Sequence, residues 1–116
     1  MIIKKIEEVT AVPVEMAGAR DVSVRVVFGP KDAAPTFALR QFELAAGGCT
    51  PHHSHPFEHE VVVLAGEIAV VSNEGDKPMS PGDAALVPAH EKHQFKNTSP
   101  SVPARMLCIV PVQYQK

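Results

Sequence analysis

The chain has 116 residues, and its 11 lysine and arginine residues against 13 aspartate and glutamate residues give a formal net charge of −2. This length predicts one domain with a single core, and no basic run of the kind used for nucleic-acid binding is present. The longest apolar run, residues 61–65, is far shorter than the roughly 20 residues of a membrane-spanning helix. Because the N-terminal residues carry interleaved charges and lack the apolar region of a secretory signal, we expect a soluble cytoplasmic protein.

Residues 1–19 are predicted to form an N-terminal arm ahead of the domain. The first twelve of them mix isoleucine and valine with charged residues, which is typical of either a frayed terminus or an edge strand. The stretch from Pro13 to Gly18 ends that pattern. If the arm is an edge strand, its apolar side chains make it a candidate for pairing with the sheet edge of a neighbouring molecule.

The remainder of the chain predicts short β-strands separated by turns. Turn signals recur along the sequence, and no window sustains the apolar periodicity of a helix. The eleven prolines would interrupt most helical windows. The predicted strands are residues 22–28, 37–44, 60–64, 67–72, 84–87, 93–96 and 105–112. The third and fourth outline a hairpin around residues 65–66, and residues 45–51 and 73–76 are predicted as a loop and a turn. This pattern indicates an all-β sandwich or barrel.

Four of the six histidines lie within residues 52–59, and His93 lies in a second short segment downstream. In an extended chain, residues two apart face the same way, so His53, His55 and His59 share one face. Imidazole nitrogens suit Zn, Cu, Fe, Ni and Mn ions, whereas structural zinc sites are more often rich in cysteine. We therefore predict one divalent metal ion held by His53, His55, His59 and His93.

Some residues near this cluster are predicted to lie outside it. His52 has the opposite parity and His90 falls in a loop, so surface positions are expected for both, with a supporting contact to a ligand as the alternative. Glu58 and Glu60 also have the opposite parity. Either carboxylate would have to reverse its direction to replace His59 as a ligand.

The two histidine segments resemble the two motifs of the cupin superfamily. Gly47, His53, His55 and Gly66 fall in register with the first motif, and His59 stands where a glutamate is usual. The second motif is matched in the same way, except that His90 replaces its inner glycine. The residues in register with it are Gly82, Pro88, His93 and Asn97.

Residues 20–112 are similar to the small manganese-binding monocupins that use four histidines. The resemblance implies a double-stranded β-helix over residues 20–116, a jelly-roll of two antiparallel sheets with the metal in its open mouth. It also implies manganese as the ion, with Fe(II), Ni, Zn or Cu as alternatives. A homodimer that exchanges its N-terminal strands is implied as well. Because His59 replaces a charged ligand, the metal is expected to be more electrophilic than in most cupins.

Two strands are predicted to contribute the wall of a substrate pocket. If Arg105 faces solvent, then Met106, Cys108 and Val110 face inward. Arg40 shares a face with apolar residues, so it is predicted either to anchor a carboxylate substrate or to pair with Glu43 or Glu67. The alternative for Cys108 is a small buried apolar residue. Three phenylalanines that flank the motifs are predicted to be core residues, namely Phe37, Phe57 and Phe95.

The predicted activity is that of a dioxygenase-like oxidoreductase acting on a small organic molecule. It follows from the four-histidine set and the resemblance, because adjacent open positions on a metal could hold a substrate and dioxygen together. The metal itself carries the chemistry, and no separate acid or base is assigned. Two alternatives stay open: a non-redox isomerase or lyase, and a non-catalytic module that binds a small ligand or a metal.

Overall fold

Nine β-strands provide nearly all the regular structure in a computed structural model that describes residues 1–116. The strands are β1 (Val12–Pro13), β2 (Arg20–Phe28), β3 (Phe37–Cys49), β4 (His59–Ala65), β5 (Ile68–Ser72), β6 (Gly75–Met79), β7 (Ala84–Val87), β8 (Gln94–Asn97) and β9 (Ala104–Pro111). Three short 3-10 helices span Ile6–Glu8, Pro30–Asp32 and Val112–Tyr114. The chain contains no α-helix, as its composition predicts, and no helix is long and apolar enough to cross a membrane.

All strand pairs are antiparallel, and together they wrap into a nearly closed barrel of the jelly-roll type. The order along the main path is β6-β5-β8-β3-β9-β4-β7, and β2 joins the other side of β3. This arrangement confirms the predicted all-β jelly-roll.

Strand β3 joins the two halves of the barrel. Its first eight residues, 37–44, pair with β9, and its last residue, Cys49, pairs with Lys96 of β8. The prediction of a loop at 45–51 is therefore wrong for residues 45–49, because β3 continues through two glycines to Cys49. Gly47 has a φ of +73°, and a Cβ on Gly48 would lie 2.6 Å from the Asp21 carbonyl oxygen, so both positions favour glycine.

The core lies between the two halves and follows the alternation of the strands. Residues of β9 alternate between buried and more exposed from Ala104 to Pro111, and β4 does the same from His59 to Val63. Fifteen buried side chains form one apolar cluster. The largest fully buried members of it include Leu44, Ile68 and Met106. The interior is thus apolar at one end and opens toward the histidines at the other.

Two local predictions are wrong. Strands β4 and β5 do not form a hairpin: β4 pairs with β7 and β9, whereas β5 pairs with β6 and β8. The backbone turns away at Gly66, which has a φ of +76° and packs against Pro103 and Ala104. The turn predicted at 73–76 extends only to Glu74, because β6 begins at Gly75. The residues of β6 are mostly exposed and polar, so this strand lacks the apolar alternation by which a strand is predicted.

The N-terminal arm packs on the strands of its own chain. Lys4 Nζ donates hydrogen bonds to the Val27 carbonyl oxygen at 2.8 Å and to Asp32 Oδ1 at 2.7 Å. Strand β1, the only β-strand within the first nineteen residues, pairs with β2 through Val12 and Val24. Exchange of this arm between two copies stays a prediction.

Candidate metal centre

The two histidine segments meet at the open end of the barrel. His53 and His93 form an isolated β-bridge, in which the His53 amide donates to the His93 carbonyl at 3.1 Å and the reverse bond measures 2.9 Å. His59 is the first residue of β4, and His93 immediately precedes β8. Every second residue from His53 to His59 is less exposed than its neighbours, which agrees with the parity of the sequence.

The imidazole nitrogens converge on one region. His53, His55 and His93 each place one ring nitrogen within 4.8 Å of the other two. His59 reaches the same region, because its Nε2 lies 3.0 Å from His93 Nε2. Two ligands at right angles around one ion, each at the usual metal–imidazole distance of about 2.1 Å, would lie about 3.0 Å apart. The donor set therefore fits a divalent ion, with His59 positioned beside the group of three.

Hydrogen bonds on the far side of the rings fix which nitrogen faces inward. His55 Nδ1 lies 2.8 Å from the Phe57 carbonyl oxygen, and His93 Nδ1 lies 2.8 Å from the Glu91 carbonyl oxygen. Since a carbonyl can only accept, both Nδ1 atoms carry the proton, and both Nε2 atoms present a lone pair. His59 Nδ1 instead faces the Cys108 sulfur at 3.3 Å.

The environment favours the neutral form of His53, His55 and His59, which is the form that binds metals. The pKa of His59 is lowered to about 3, mainly by burial and then by the neighbouring His93, His55 and Arg40. Burial is also the main cause that lowers the pKa of His53 and of His55, followed by His93 for His53. For His55, the bond to the Phe57 carbonyl partly opposes that shift.

The histidines line a cavity of about 220 Å³ that contains no carboxylate. Its fifteen lining residues combine the four histidines and Arg40 with apolar and aromatic side chains. At the mouth, the rings of His55 and Phe57 stack with centroids 3.9 Å apart, and Tyr114 stacks on Phe57 at 4.3 Å. A bound divalent ion and Arg40 would together leave this cavity strongly positive.

Arg40 enters the cavity without an acidic partner. Its Nη2 donates to Cys108 Sγ at 3.0 Å, and its guanidinium lies 4.9 Å from the centre of the Phe42 ring. Its Nε is buried and makes no hydrogen bond. The alternative partners, Glu43 and Glu67, lie elsewhere: Glu43 is 3.8 Å from Arg25, and Glu67 accepts a hydrogen bond from Ser80.

The other pocket residues predicted on β9 face inward. Met106, Cys108 and Val110 are all buried, whereas Arg105 is exposed. Met106 and Cys108 line the cavity with the histidines, but Val110 lines a separate groove on the side of the barrel. Burial raises the pKa of the Cys108 thiol, although the charge and hydrogen bond of Arg40 oppose this, so the thiol is protonated at neutral pH.

The residues that the sequence analysis predicts not to be metal ligands lie outside the cavity. His52, Glu58 and Glu60 are exposed, and none of the three lines the cavity that holds the four histidines. His90 is exposed too, but its amide donates to the His55 carbonyl at 2.7 Å. Its φ of +69° explains why the second cupin motif has a glycine at this position.

Sequence reasoning missed several residues of the cavity wall. Phe57 shares the parity of the histidines and could have been assigned to the wall, whereas Phe37 is 66% exposed and does not belong to the core. Tyr114 enters from the C-terminal 3-10 helix, and Met16 enters from the arm. No pattern in the sequence indicated either residue.

Comparison with protein-family models gives a match to the cupin domain over residues 40–110. The comparison with curated proteins gives no match. Among solved structures, the polyketide cyclase RemF from Streptomyces resistomycificus is 32% identical with a TM-score of 0.90, and the match covers 97% of this chain and 80% of that one.

Two further solved structures share the fold. A cupin 2 domain-containing protein from Halorhodospira halophila is 34% identical with a TM-score of 0.74, over 85% of this chain and 68% of that one. A sugar phosphate isomerase of the cupin superfamily from Silicibacter pomeroyi is 27% identical with a TM-score of 0.69. That match covers 78% of this chain and 59% of that one.

Proposed function

Because the chain belongs to the cupin family, we propose that it is a metal-dependent enzyme that cyclises or isomerises a small carbonyl compound. The observation that carries this proposal is the set of four imidazoles around a cavity that also holds Arg40 and no carboxylate. The four histidines would hold a divalent ion there, and the chemistry that it would supply is polarisation of a carbonyl oxygen. The 32% identity to a polyketide cyclase supports carbonyl chemistry of this kind.

His53, His55, His59 and His93 are the proposed ligands of that ion. His59 is better suited to this role than to that of a general base, because Nδ1 faces Cys108 and Nε2 faces His93, so neither nitrogen is free to meet a substrate. The carbonyl partners of His55 and His93 hold their rings in the required orientation. We propose manganese as the resident ion, on the resemblance to four-histidine monocupins, with Fe(II), Ni, Zn and Cu as alternatives.

Arg40 is proposed to bind the negative charge of the substrate. Its buried Nε has no partner in the protein, and a buried donor left unpaired costs about 1–3 kcal/mol. An enolate or carboxylate oxygen would satisfy it and would balance the charge of the cavity. The cavity of about 220 Å³ is below the roughly 300–1,000 Å³ of ordinary ligand pockets. It fits a small molecule, or the reacting end of a longer one that extends past Phe57 and Tyr114.

A dioxygenase-like oxidoreductase is the second candidate function. It is favoured by the donor set, because imidazole ligands suit Fe and Mn as well as Zn. The four rings also line one cavity, in which a substrate and dioxygen could both reach a bound ion. The fold hosts unrelated activities, so the metal dependence of the reaction must decide between the two candidates.

The deciding experiment measures turnover of the protein loaded separately with Zn, Mn and Fe(II), with and without oxygen. The substrates are poly-β-ketones, β-diketones and enediols, and the readouts are mass spectrometry of the products and oxygen consumption. The cyclase or isomerase proposal predicts activity with Zn in the absence of oxygen, giving a product isomeric with the substrate or lighter by one water. Oxygen-dependent turnover with Fe or Mn alone would establish the second candidate, and no turnover under any condition would contradict both.

We propose that the protein is a homodimer in solution. The outer face of β3, β9, β4 and β7 carries the transverse row Leu39, Ile109, Glu60 and Leu86, in which Ile109 is 40% and Leu86 is 60% exposed. Three of these four side chains are apolar, and exposed apolar patches are typical of interaction surfaces. Light scattering on the wild type and on Leu86→Glu should give a dimer and a monomer, respectively; a monomeric wild type would contradict the proposal.

A further inference from the structure

The Cys108 sulfur lies between the proposed anion-binding arginine and one of the proposed metal ligands. Arg40 Nη2 is 3.0 Å from Sγ, and His59 Nδ1 is 3.3 Å from the same atom. Cys108 is only 1% exposed, so no solvent molecule competes for these contacts from outside the barrel. The sulfur thus lies within hydrogen-bonding distance of both the arginine and a histidine of the cluster.

The register of three strands produces this contact. Cys108 on β9 pairs directly with Arg40 on β3 and with Val61 on β4. His59 precedes Val61 by two residues and so faces the same side of β4. The Cys108 side chain therefore points inward at the centre of a three-strand row, with Arg40 on one side and His59 diagonally on the other.

The direction of one hydrogen bond is fixed by the arginine, and metal binding at His59 Nε2 would fix that of the other. A guanidinium can only donate, so the sulfur accepts from Arg40. A neutral imidazole has one N–H, and it serves as a metal ligand through Nε2 only if that hydrogen is on Nδ1. Donation from His59 Nδ1 to the sulfur gives this form. The opposite form would place the hydrogen on Nε2, where it would donate to His93 Nε2 at 3.0 Å and leave no lone pair for a metal.

We propose that Cys108 is a positioning residue, whose sulfur accepts hydrogen bonds from both Arg40 and His59. It holds His59 in the form whose Nε2 lone pair faces the metal centre, and it holds the arginine at a fixed place beside that centre. This inference rests on the proposed function in one respect, namely that His59 is a metal ligand. A thiol would thus orient His59 as a carboxylate or a backbone carbonyl orients other metal-bound histidines.

The first test measures zinc affinity by competition with a chromophoric chelator, without any substrate. Cys108→Ala should bind zinc at least about tenfold more weakly than wild type, since loss of an orienting partner costs about 10–100-fold in metal affinity. Cys108→Ser keeps an acceptor and should recover most of that loss. Cys49→Ala is the matched control, because Cys49 is also a buried free cysteine but contacts Gly18 rather than a histidine. A folded Cys108→Ala protein with wild-type zinc affinity would overturn the proposal.

The second test needs no variant and decides the matter if Cys108→Ala does not fold. Nitrogen-15 NMR of the zinc-loaded wild type reports which ring nitrogen of His59 carries a hydrogen. The proposal requires a protonated Nδ1 and a metal-bound Nε2, and a hydrogen on Nε2 overturns it. Both tests read metal binding alone. A protein that passes them but turns over no substrate would therefore contradict the proposed function and leave the role of Cys108 intact.

Discussion

The Nε2 atoms of His59 and His93 face each other at 3.0 Å in the buried floor of the cavity. His93 carries its hydrogen on Nδ1, because that atom donates to the Glu91 carbonyl. Its Nε2 therefore presents a lone pair to His59. If His59 Nε2 also presents a lone pair, the two repel unless a cation lies near both. A proton or a metal ion between the two Nε2 atoms would remove this repulsion.

Removal of one of these rings should weaken metal binding far more than removal of a nearby surface histidine. We expect His93→Ala and His59→Ala to lower zinc affinity by more than about a hundredfold, since a lost ligand costs more than the 10–100-fold of a lost orienting partner. His52→Ala is the matched control, because its side chain is exposed one residue from His53. Calorimetric titration with zinc measures all three. Unchanged affinity in His59→Ala would limit the site to His53, His55 and His93.

The stability of the metal-free protein should fall as the pH falls below 6.5. Folding lowers the pKa of His53, His55 and His59 from an ordinary value of 6.5, in the last case to about 3. Between these values the unfolded chain binds more protons than the folded one, so the free energy of unfolding rises with pH across that window. Urea unfolding in the presence of a chelator at pH 4.5, 5.5 and 7.5 measures it.

The contribution of His59 to this pH dependence can be tested separately. His59→Gln removes one of the titrating groups and should reduce the slope of stability against pH between 4 and 6.5. Equal or higher stability of the metal-free wild type at pH 4.5 than at pH 7.5 would contradict the assignment of neutral, buried histidines.

Two glycines of the cupin motifs should respond differently to alanine. Both have a positive φ, +76° for Gly66 and +93° for Gly82. A Cβ on Gly66 would also lie 2.6 Å from the Pro103 carbonyl oxygen and 2.8 Å from Ala104 Cα, whereas Gly82 has open space. Backbone strain alone costs about 1–2 kcal/mol. We therefore expect a loss of about 1 kcal/mol for Gly82→Ala and more than about 2 kcal/mol for Gly66→Ala.

Urea unfolding of the two glycine variants beside the wild type measures these losses in the free energy of unfolding. The backbone term is shared, so the difference between the variants isolates the contact with Pro103 and Ala104. Equal losses would show that the turn after β4 moves aside without cost.

Arg40→Met should separate anion binding from metal binding. Methionine fills the space without a charge, so the zinc-loaded variant should bind acetylacetonate, a β-diketone enolate, about 10–100-fold more weakly, in line with about 1.5–3 kcal/mol for a charged hydrogen bond. Its zinc affinity should change less than its anion affinity. Arg105→Met is the control on the same sheet, since Arg105 is exposed on the outer face. Equal acetylacetonate binding by Arg40→Met and wild type would remove the arginine from the proposed site.

The parts of the site that follow strand alternation could be predicted from the sequence. Parity alone places His53, His55 and His59 on one face, and the burial of residues 51–60 alternates in that way. The inward direction of Met106 and Cys108 follows from the same rule. Alternation of this kind is a property of the single strand, so it does not depend on which strands pair with it.

The parts that depend on long-range packing could not be predicted. A hairpin between β4 and β5 is locally reasonable, but β9 and β7 already occupy both edges of β4. Strand β6 is polar and contains Pro78, so it has no strand pattern and is defined by its pairing with β5. The contact of Arg40 with Cys108 joins residues 68 positions apart, and only the register of β3 and β9 creates it.

We propose that the convergent histidines hold one divalent metal ion per chain. The most direct measurement is elemental analysis combined with EPR of protein purified without added metal, for the wild type and the His53→Ala/His93→Ala double variant. We predict about one equivalent of metal in the wild type, with a six-line manganese signal if manganese is the resident ion, and loss of the metal in the double variant. A folded wild type that is purified without metal and takes none up on addition, or a double variant that retains it, would contradict the account.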